Sequence, residues 1–255
     1  MTNITLGQYF PGNSAIHRLD PRTKILLMLL YIVVVFFVNT LTMFLLPLLF
    51  VIGVTSLANV PIRYVIRSIK PLRFLLIFMF VLNLFLTPGE TVIWSWWILE
   101  LRQEALAQAI FITLRLVFLV SGTSLMTLTT SPLSLTAGLE QLLKPLSKLR
   151  FPAHELAMMM TIALRFIPTL MEEADKIKKA QMARGADFES GNIINRAKSM
   201  IPILVPLFVS AFRRADELAM AMESRCYHGG EGRTRMRVLK FHAADAIAAL
   251  IVVGM

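Results

Sequence analysis

The sequence predicts an all-α, polytopic membrane protein with about five transmembrane helices and a folded cytoplasmic module of long helices. Three observations carry this. Hydrophobic residues fill 56% of the 255 positions and charged residues only 16%, with a mean hydropathy of +0.67, whereas about 25% of a soluble chain is charged. The apolar residues fall in long runs, while the stretch 131–240 holds 17 of the 26 basic and 11 of the 16 acidic residues. The net charge of +10 is read in such a chain first as topology and attraction to anionic lipid, before nucleic acid. Composition thus excludes a soluble basic enzyme. The single cysteine, Cys226, excludes an internal disulfide and a cysteine-rich metal site.

A first apolar run, 25–38, follows Arg18, Arg22 and Lys24, and a second, 41–57, comes almost at once. A cleaved signal peptide fits this poorly. Two spans joined near Asn39 and Thr40 are expected, although each offers fewer than the about 20 apolar residues a crossing needs. A loop carrying Arg63, Arg67, Lys70 and Arg73 precedes a third run, 74–86. The fourth, 105–128, contains Arg115. A fifth opens near Ala243, and Met255 falls only a dozen or so residues into it, so a truncated end is expected. Basic flanks stay in the cytoplasm and tryptophans favour the interface. The amino terminus is therefore expected inside the cell membrane, the loop 87–104 with Trp94, Trp96 and Trp97 outside, and 131–240 inside. This divides the chain into transmembrane helices (1–130), a cytoplasmic module (131–240) and the start of a last transmembrane helix (241–255).

Within the module three helical patterns follow one another. The first, 132–149, is amphipathic and interrupted at Pro145. The second runs from Pro152, a favoured first-turn residue, to about Ala183, with Glu172/Lys176 and Asp175/Lys179 as i, i+4 pairs worth roughly 0.2 to 0.5 kcal/mol each. Pro168 should bend it. Arg165, alone in an apolar stretch of this helix, is expected to pair with an acid. The third, 192–225, contains a dozen apolar residues, 201–212, too few to cross a bilayer and suited to its surface or to another protein. Small residues recur every four positions, at Ala153, Ala157 and Thr161 and at Ala211, Ala215 and Ala219. Such ladders let helices approach closely, either each other or a separate membrane subunit.

Each long helix ends around an arginine, in Ala183-Arg184-Gly185 and in Ser224-Arg225-Cys226. Singly, each reads as a capped helix end, with the arginine at the negative pole of the helix dipole. Together, the two guanidiniums make a pair of projecting plugs suited to carboxylates on a partner. The glycine-rich basic stretch 229–235 reads as an exposed linker.

Catalytic motifs do not emerge. Residues 7–14 have the glycine spacing of a phosphate loop, but Asn13 stands where its lysine belongs, and the pair Gly185 and Gly191 is likewise followed by Asn192. His17, His154, His228 and His242 are scattered, without an i, i+4 pair. Glu172, Glu173, Asp175, Asp216 and Glu217 read as solvated helix faces. A chain with a large cytoplasmic apparatus and no visible catalytic site is expected to transmit work done by another protein.

Several segments resemble the transmembrane T component of energy-coupling factor (ECF) transporters, ABC-class importers of vitamins and micronutrients. They are His17-Arg-Leu-Asp-Pro-Arg-Thr-Lys24, Gly138-Leu-Glu-Gln-Leu-Leu-Lys-Pro145, His154-Glu-Leu-Ala157 and Leu164-Arg-Phe-Ile-Pro-Thr-Leu170. Most specific are Ala180-Gln-Met-Ala-Arg-Gly-Ala-Asp-Phe188, Arg213-Arg-Ala-Asp-Glu-Leu-Ala219, Ala221-Met-Glu-Ser-Arg225 and Gly230-Glu-Gly-Arg-Thr234. The resemblance implies a coupling-helix scaffold, itself binding no cofactor and catalysing nothing, in complex with two ABC-type ATPase subunits that bind ATP. It also implies an interchangeable membrane-embedded substrate-binding S component. By the same resemblance Ala183, Arg184, Gly185, Ser224, Arg225 and Cys226 would dock the ATPases, and Met159, Ala163, Ile203, Leu207 and Ala211 would face the S component. Cys226 departs from the family's Ala-Arg-Gly, which puts the glycine-dependent backbone of that turn in question. The match through Arg233 and Thr234 points to the shared type that serves several S components, not to one dedicated to cobalt, nickel or biotin. The competing readings are an integral membrane enzyme acting on lipid headgroups, and a membrane anchor unconnected to ATP.

Overall fold

The computed structural model describes residues 9–88, 92–96, 99–145, 151–188, 192–229 and 243–253. The linker stretch from Gly230 onward, with the Gly230–Thr234 motif and His242, therefore lies outside the described residues, as do Gly7 and Gly191. Contacts divide the chain into two compact units, one drawn from Gly7–Leu142 and Val238–Met255, the other from Leu143–Arg237. Among the described residues regular structure is helical apart from one two-stranded hairpin, and the all-α polytopic class holds.

In the first unit, α1 (Ala15–Arg18) leads into α2 (Pro21–Phe37). Pro21 suits a first turn, where its missing N–H has no helical partner to lose, and the Asp20 carboxylate accepts the Arg22 N–H at 2.9 Å. The helix stops before Asn39, and a 3₁₀ turn, Leu41–Phe44, opens α3 (Leu45–Ala58). The basic segment expected as a loop is helical instead. There α4 (Ile62–Ile69) passes through a 3₁₀ turn, Lys70–Leu72, into α5 (Arg73–Leu86). Apolar Ile62, Val65 and Ile69 recur at helical spacing with Val65 buried, so the segment has one face to pack and one to leave exposed.

The loop expected after α5 carries a hairpin, β1 (Val92–Trp96) with β2 (Leu99–Arg102), antiparallel and irregular between Val92 and Trp94. Its Val-Ile-Trp-Ser-Trp strand is the β-branched and aromatic composition that strands favour. The chain then forms α6 (Gln103–Thr129), α7 (Pro132–Leu143) and, near its end, α10 (Ala243–Val253). Among the described residues three helical stretches are long and apolar enough to cross a membrane: Leu41–Ala58, Ile62–Leu86 and Gln103–Thr129. Five were expected. Helix α2 is one turn or so short of a crossing at 17 residues, and α10 has 11.

Helix α6 packs against α2, α3, α4 and α5. It comes close to α2 at Gly122, where a Cβ would collide with the Tyr31 ring. Tyr31 is 1% exposed, stacks on Phe50 at 4.9 Å and donates from its hydroxyl to the Phe118 carbonyl at 3.0 Å. The buried hydroxyl is thereby satisfied. Arg115 reaches from α6 to the Val38 carbonyl at 2.8 Å, with its guanidinium over the Phe111 ring at 4.7 Å. A cavity of about 370 Å³ lies among α2, α3, α6 and α10, lined by residues including Met28, Tyr31, Phe50, Gly53 and Leu125.

A polar cluster closes the α2 end of this unit. The buried Lys24 ammonium donates to the Thr129 carbonyl at 2.9 Å, to Thr130 Oγ1 at 3.2 Å and to the His17 carbonyl at 3.4 Å. The Asp20 N–H donates to Asp245 Oδ1 at 3.0 Å, tying α10 to α2. His17 bonds Ser14 Oγ at 2.7 Å and the Phe10 carbonyl at 3.0 Å, a structural histidine. On α7, a Cβ at Gly138 would come within 2.9 Å of Pro21, so only glycine allows the two helices this approach.

The second unit is built on two 31-residue helices, α8 (Ala153–Ala183) and α9 (Ile193–Glu223). α8 runs unbroken through Pro168, and α9 through Pro202 and Pro206. α7 ends before the expected 149, and residues 146–150 lie outside those described.

Candidate functional site

Helices α8 and α9 pack on each other, joined by Arg214 Nη2 donating to Glu173 Oε2 at 2.7 Å. Arg214 Nε also donates to the buried Ser210 hydroxyl at 3.4 Å. A hydrogen bond from Ser210 and the charge of Arg214 hold the Glu173 carboxylate below its ordinary value. Glu173 and Arg214 therefore clamp the helix pair, whereas the sequence pattern reads Glu173 as part of a solvated face. Their coupling has a sequence signal: Ser210 and Arg214, four apart, are the polar members of an otherwise apolar face. The intrahelical pairs Glu172/Lys176 and Asp175/Lys179 do not close to ion-pair distance among the described residues, and Arg165 is exposed without an acidic partner there. The expected pairing of Arg165 is corrected: its side of α8 faces outward.

The two arginine-bearing ends share one backbone device. At the end of α8 the Ala186 N–H donates to the Gln181 carbonyl at 3.0 Å and the Gly185 N–H to Met182 at 3.0 Å, with Gly185 at φ +87. At the end of α9 the Tyr227 N–H donates to Met222 at 3.0 Å and the Cys226 N–H to Glu223 at 2.8 Å, with Cys226 at φ +57. Both are Schellman turns, and in both the arginine is the capping residue just before the left-handed position. Cys226 thus keeps the turn that the sequence put in question.

Because main-chain N–H groups satisfy the terminal carbonyls, neither arginine side chain is needed for capping. Ala183, Arg184, Gly185, Ser224, Arg225 and Cys226 are all exposed. Neither the Arg184 nor the Arg225 guanidinium makes a hydrogen bond or ion pair among the described residues. Each presents planar, paired donors suited to a carboxylate.

The apolar positions sort differently. Met159 and Ala163 on α8 are exposed, but Ile203 is buried and Leu207 and Ala211 are half-buried. Those three share the face of α9 that carries Ser210 and Arg214. The outward row is Ile201, Val205, Phe208, Val209 and Phe212, each 53–69% exposed. Sequence reasoning located this run but not its outer face. The small-residue ladders divide likewise: Ala153 and Ala157 are buried, while Thr161, Ala215 and Ala219 are exposed. Among the described residues no group of histidine, cysteine and acidic side chains is placed to hold a metal.

A polytopic helical membrane unit joined in one chain to a pair of long helices that end in matched, exposed arginine turns defines a membrane protein of the transporter-component class. The chain belongs to the CbiQ family, described as cobalt transport protein, whose profile it matches over residues 12–236. It is 57% identical to the energy-coupling factor transporter transmembrane protein EcfT of Thermosediminibacter oceani, over all of this chain and 96% of that one. It is 55% identical to the EcfT of Acidaminococcus fermentans, covering 95% of it, and 50% identical to that of Bacillus subtilis, covering 97%. The resemblance read from the sequence motifs holds.

Proposed function

We propose that this chain is the transmembrane coupling subunit of an ECF-type ABC importer, passing ATP-driven motion of two ATPase subunits to a membrane-embedded S component for vitamin or micronutrient uptake. It acts as a non-catalytic scaffold in the cell membrane with its amino terminus in the cytoplasm, and ATP is bound by the partner ATPases. The observation that carries the reading is the pair of matched helix ends with exposed, unengaged Arg184 and Arg225 guanidiniums. Charge-assisted bonds from each would contribute about 1.5 to 3 kcal/mol. The S component would rest on Met159, Ala163 and the outward α9 row around Phe208 and Phe212, with Ile203, Leu207 and Ala211 supporting that row from its covered side. The reading of the shared type, over one dedicated to a single metal, rests on the motif that extends through Arg233 and Thr234.

The test is a pull-down of tagged chain from detergent-solubilised native membranes, wild type against the Arg184→Glu, Arg225→Glu double variant. Two ATPases and one or more S components are expected with wild type, and loss of the ATPases alone with the variant. Both ATPases recovered at wild-type yield with the variant would sink the proposal.

A further inference from the structure

Four cations lie on the segment that the sequence pattern reads as a loop and the structure folds as a helix. Arg63, Arg67, Lys70 and Arg73 are all exposed, and none makes a hydrogen bond or ion pair among the described residues. The sequence offers them no local acid, since there is no Asp or Glu between Asp20 and Glu90. Arg63, Arg67 and Lys70 stand at i, i+4 and i+7, on one face of the helical run, opposite the buried Val65.

The surroundings identify the partner. The cationic helix continues through the 3₁₀ turn Lys70–Leu72 into α5, within the 25-residue stretch Ile62–Leu86 that is long and apolar enough to span. The cations therefore sit where a spanning helix enters its bilayer. Beside them Ile62, Ile66 and Phe74 are 51%, 53% and 78% exposed. Large bare apolar side chains flanking a row of cations fit the boundary between acyl chains and headgroups, where long basic side chains reach the phosphates. A water-facing protein partner would leave this apolar flank against solvent. We infer that Arg63, Arg67 and Lys70, with Arg73 at the margin, form a binding site for the phosphate headgroups of anionic phospholipid, one that selects the lipid around α4 as well as orienting the helix.

The test is native mass spectrometry of the full chain purified from nanodiscs of mixed phosphatidylcholine and phosphatidylglycerol, counting the retained lipids. Wild type should retain phosphatidylglycerol in preference, and the preference should fall with added salt. The Arg63→Gln, Arg67→Gln, Lys70→Gln variant should lose about fivefold of that preference per cation removed. A Lys176→Gln, Lys178→Gln, Lys179→Gln variant, which removes equal charge from α8, should keep it, as should an Arg63→Lys, Arg67→Lys variant that checks the fold. Wild-type phosphatidylglycerol retention in the glutamine variant of α4 overturns the inference. So does an unchanged lipid preference together with loss of an acidic protein partner from that variant in native membranes.

Discussion

Cys226 ends α9 in the same left-handed turn with which Gly185 ends α8, at φ +57 against +87, and each directly follows the arginine of its helix end. A side chain with a Cβ pays roughly 1 to 2 kcal/mol for that backbone, whereas glycine adopts it freely. The α9 turn is therefore strained where the α8 turn is not, yet both leave their arginine exposed.

Cys226→Gly is accordingly expected to stabilise the purified chain, by up to about 1 kcal/mol after the extra unfolded-state entropy of glycine is allowed for. Gly185→Ala should destabilise it by a similar amount. Apparent melting temperatures in one detergent check both, and a lower value for Cys226→Gly would show that the cysteine relieves strain elsewhere.

Two glycines on neighbouring helices should respond in opposite directions. A Cβ at Gly122 has no room beside the Tyr31 ring, so Gly122→Ala should cost about 1 to 3 kcal/mol. Gly53 meets nothing within 4 Å and lines the cavity, so Gly53→Ala should be neutral or gain up to about 1 kcal/mol of helix propensity. Thermal melts of the two variants side by side measure the difference.

Removing the acceptor that holds α10 to α2 leaves the buried Asp20 N–H without it. Asp245→Ala should therefore cost about 1 to 3 kcal/mol and loosen α10, read as faster amide exchange along that helix. Asp245→Asn keeps an oxygen acceptor and should lose less.

The α8–α9 clamp should weaken in acid. Because the folded state holds the Glu173 carboxylate below its ordinary value of 4.5, its contribution is full above that value and is lost as pH falls through the lower one. Amide exchange around Glu173 and Arg214 should rise across that window in wild type and be flatter with pH in Glu173→Gln. An equal rise in both would assign the acid response to other groups.

Much of the molecule is legible in the sequence because local rules fix it. Continuous apolar runs mark the membrane helices, and the structure's α6 matches the run around 105–128 to within two residues. Pro152 and Gly185 bracket α8, although the proline stands at the N-cap, one residue before the first turn the sequence assigned it, while the glycine takes the left-handed stop. The motif residues around Arg184 and Arg225 carry the family, and both arginines are placed on exposed turns. Where the sequence pattern reads a loop at 62–73, the arginines mask a helical apolar period whose one buried member, Val65, is visible only once packing is known.

By itself, then, the sequence determined that this is a polytopic helical membrane protein of the ECF T-component type, with two arginines ending two long helices. Tertiary structure decided which faces those helices present. Ile203, Leu207 and Ala211 turn inward because Ser210 and Arg214 on the same face meet Glu173, and that turns Val205, Phe208 and Phe212 outward. It also decided that Cys226 keeps the left-handed turn and that Glu173 is a clamp instead of a solvated charge. The reason is physical: helical period says which residues share a face, but only the partner packed against that face says whether it is covered or free.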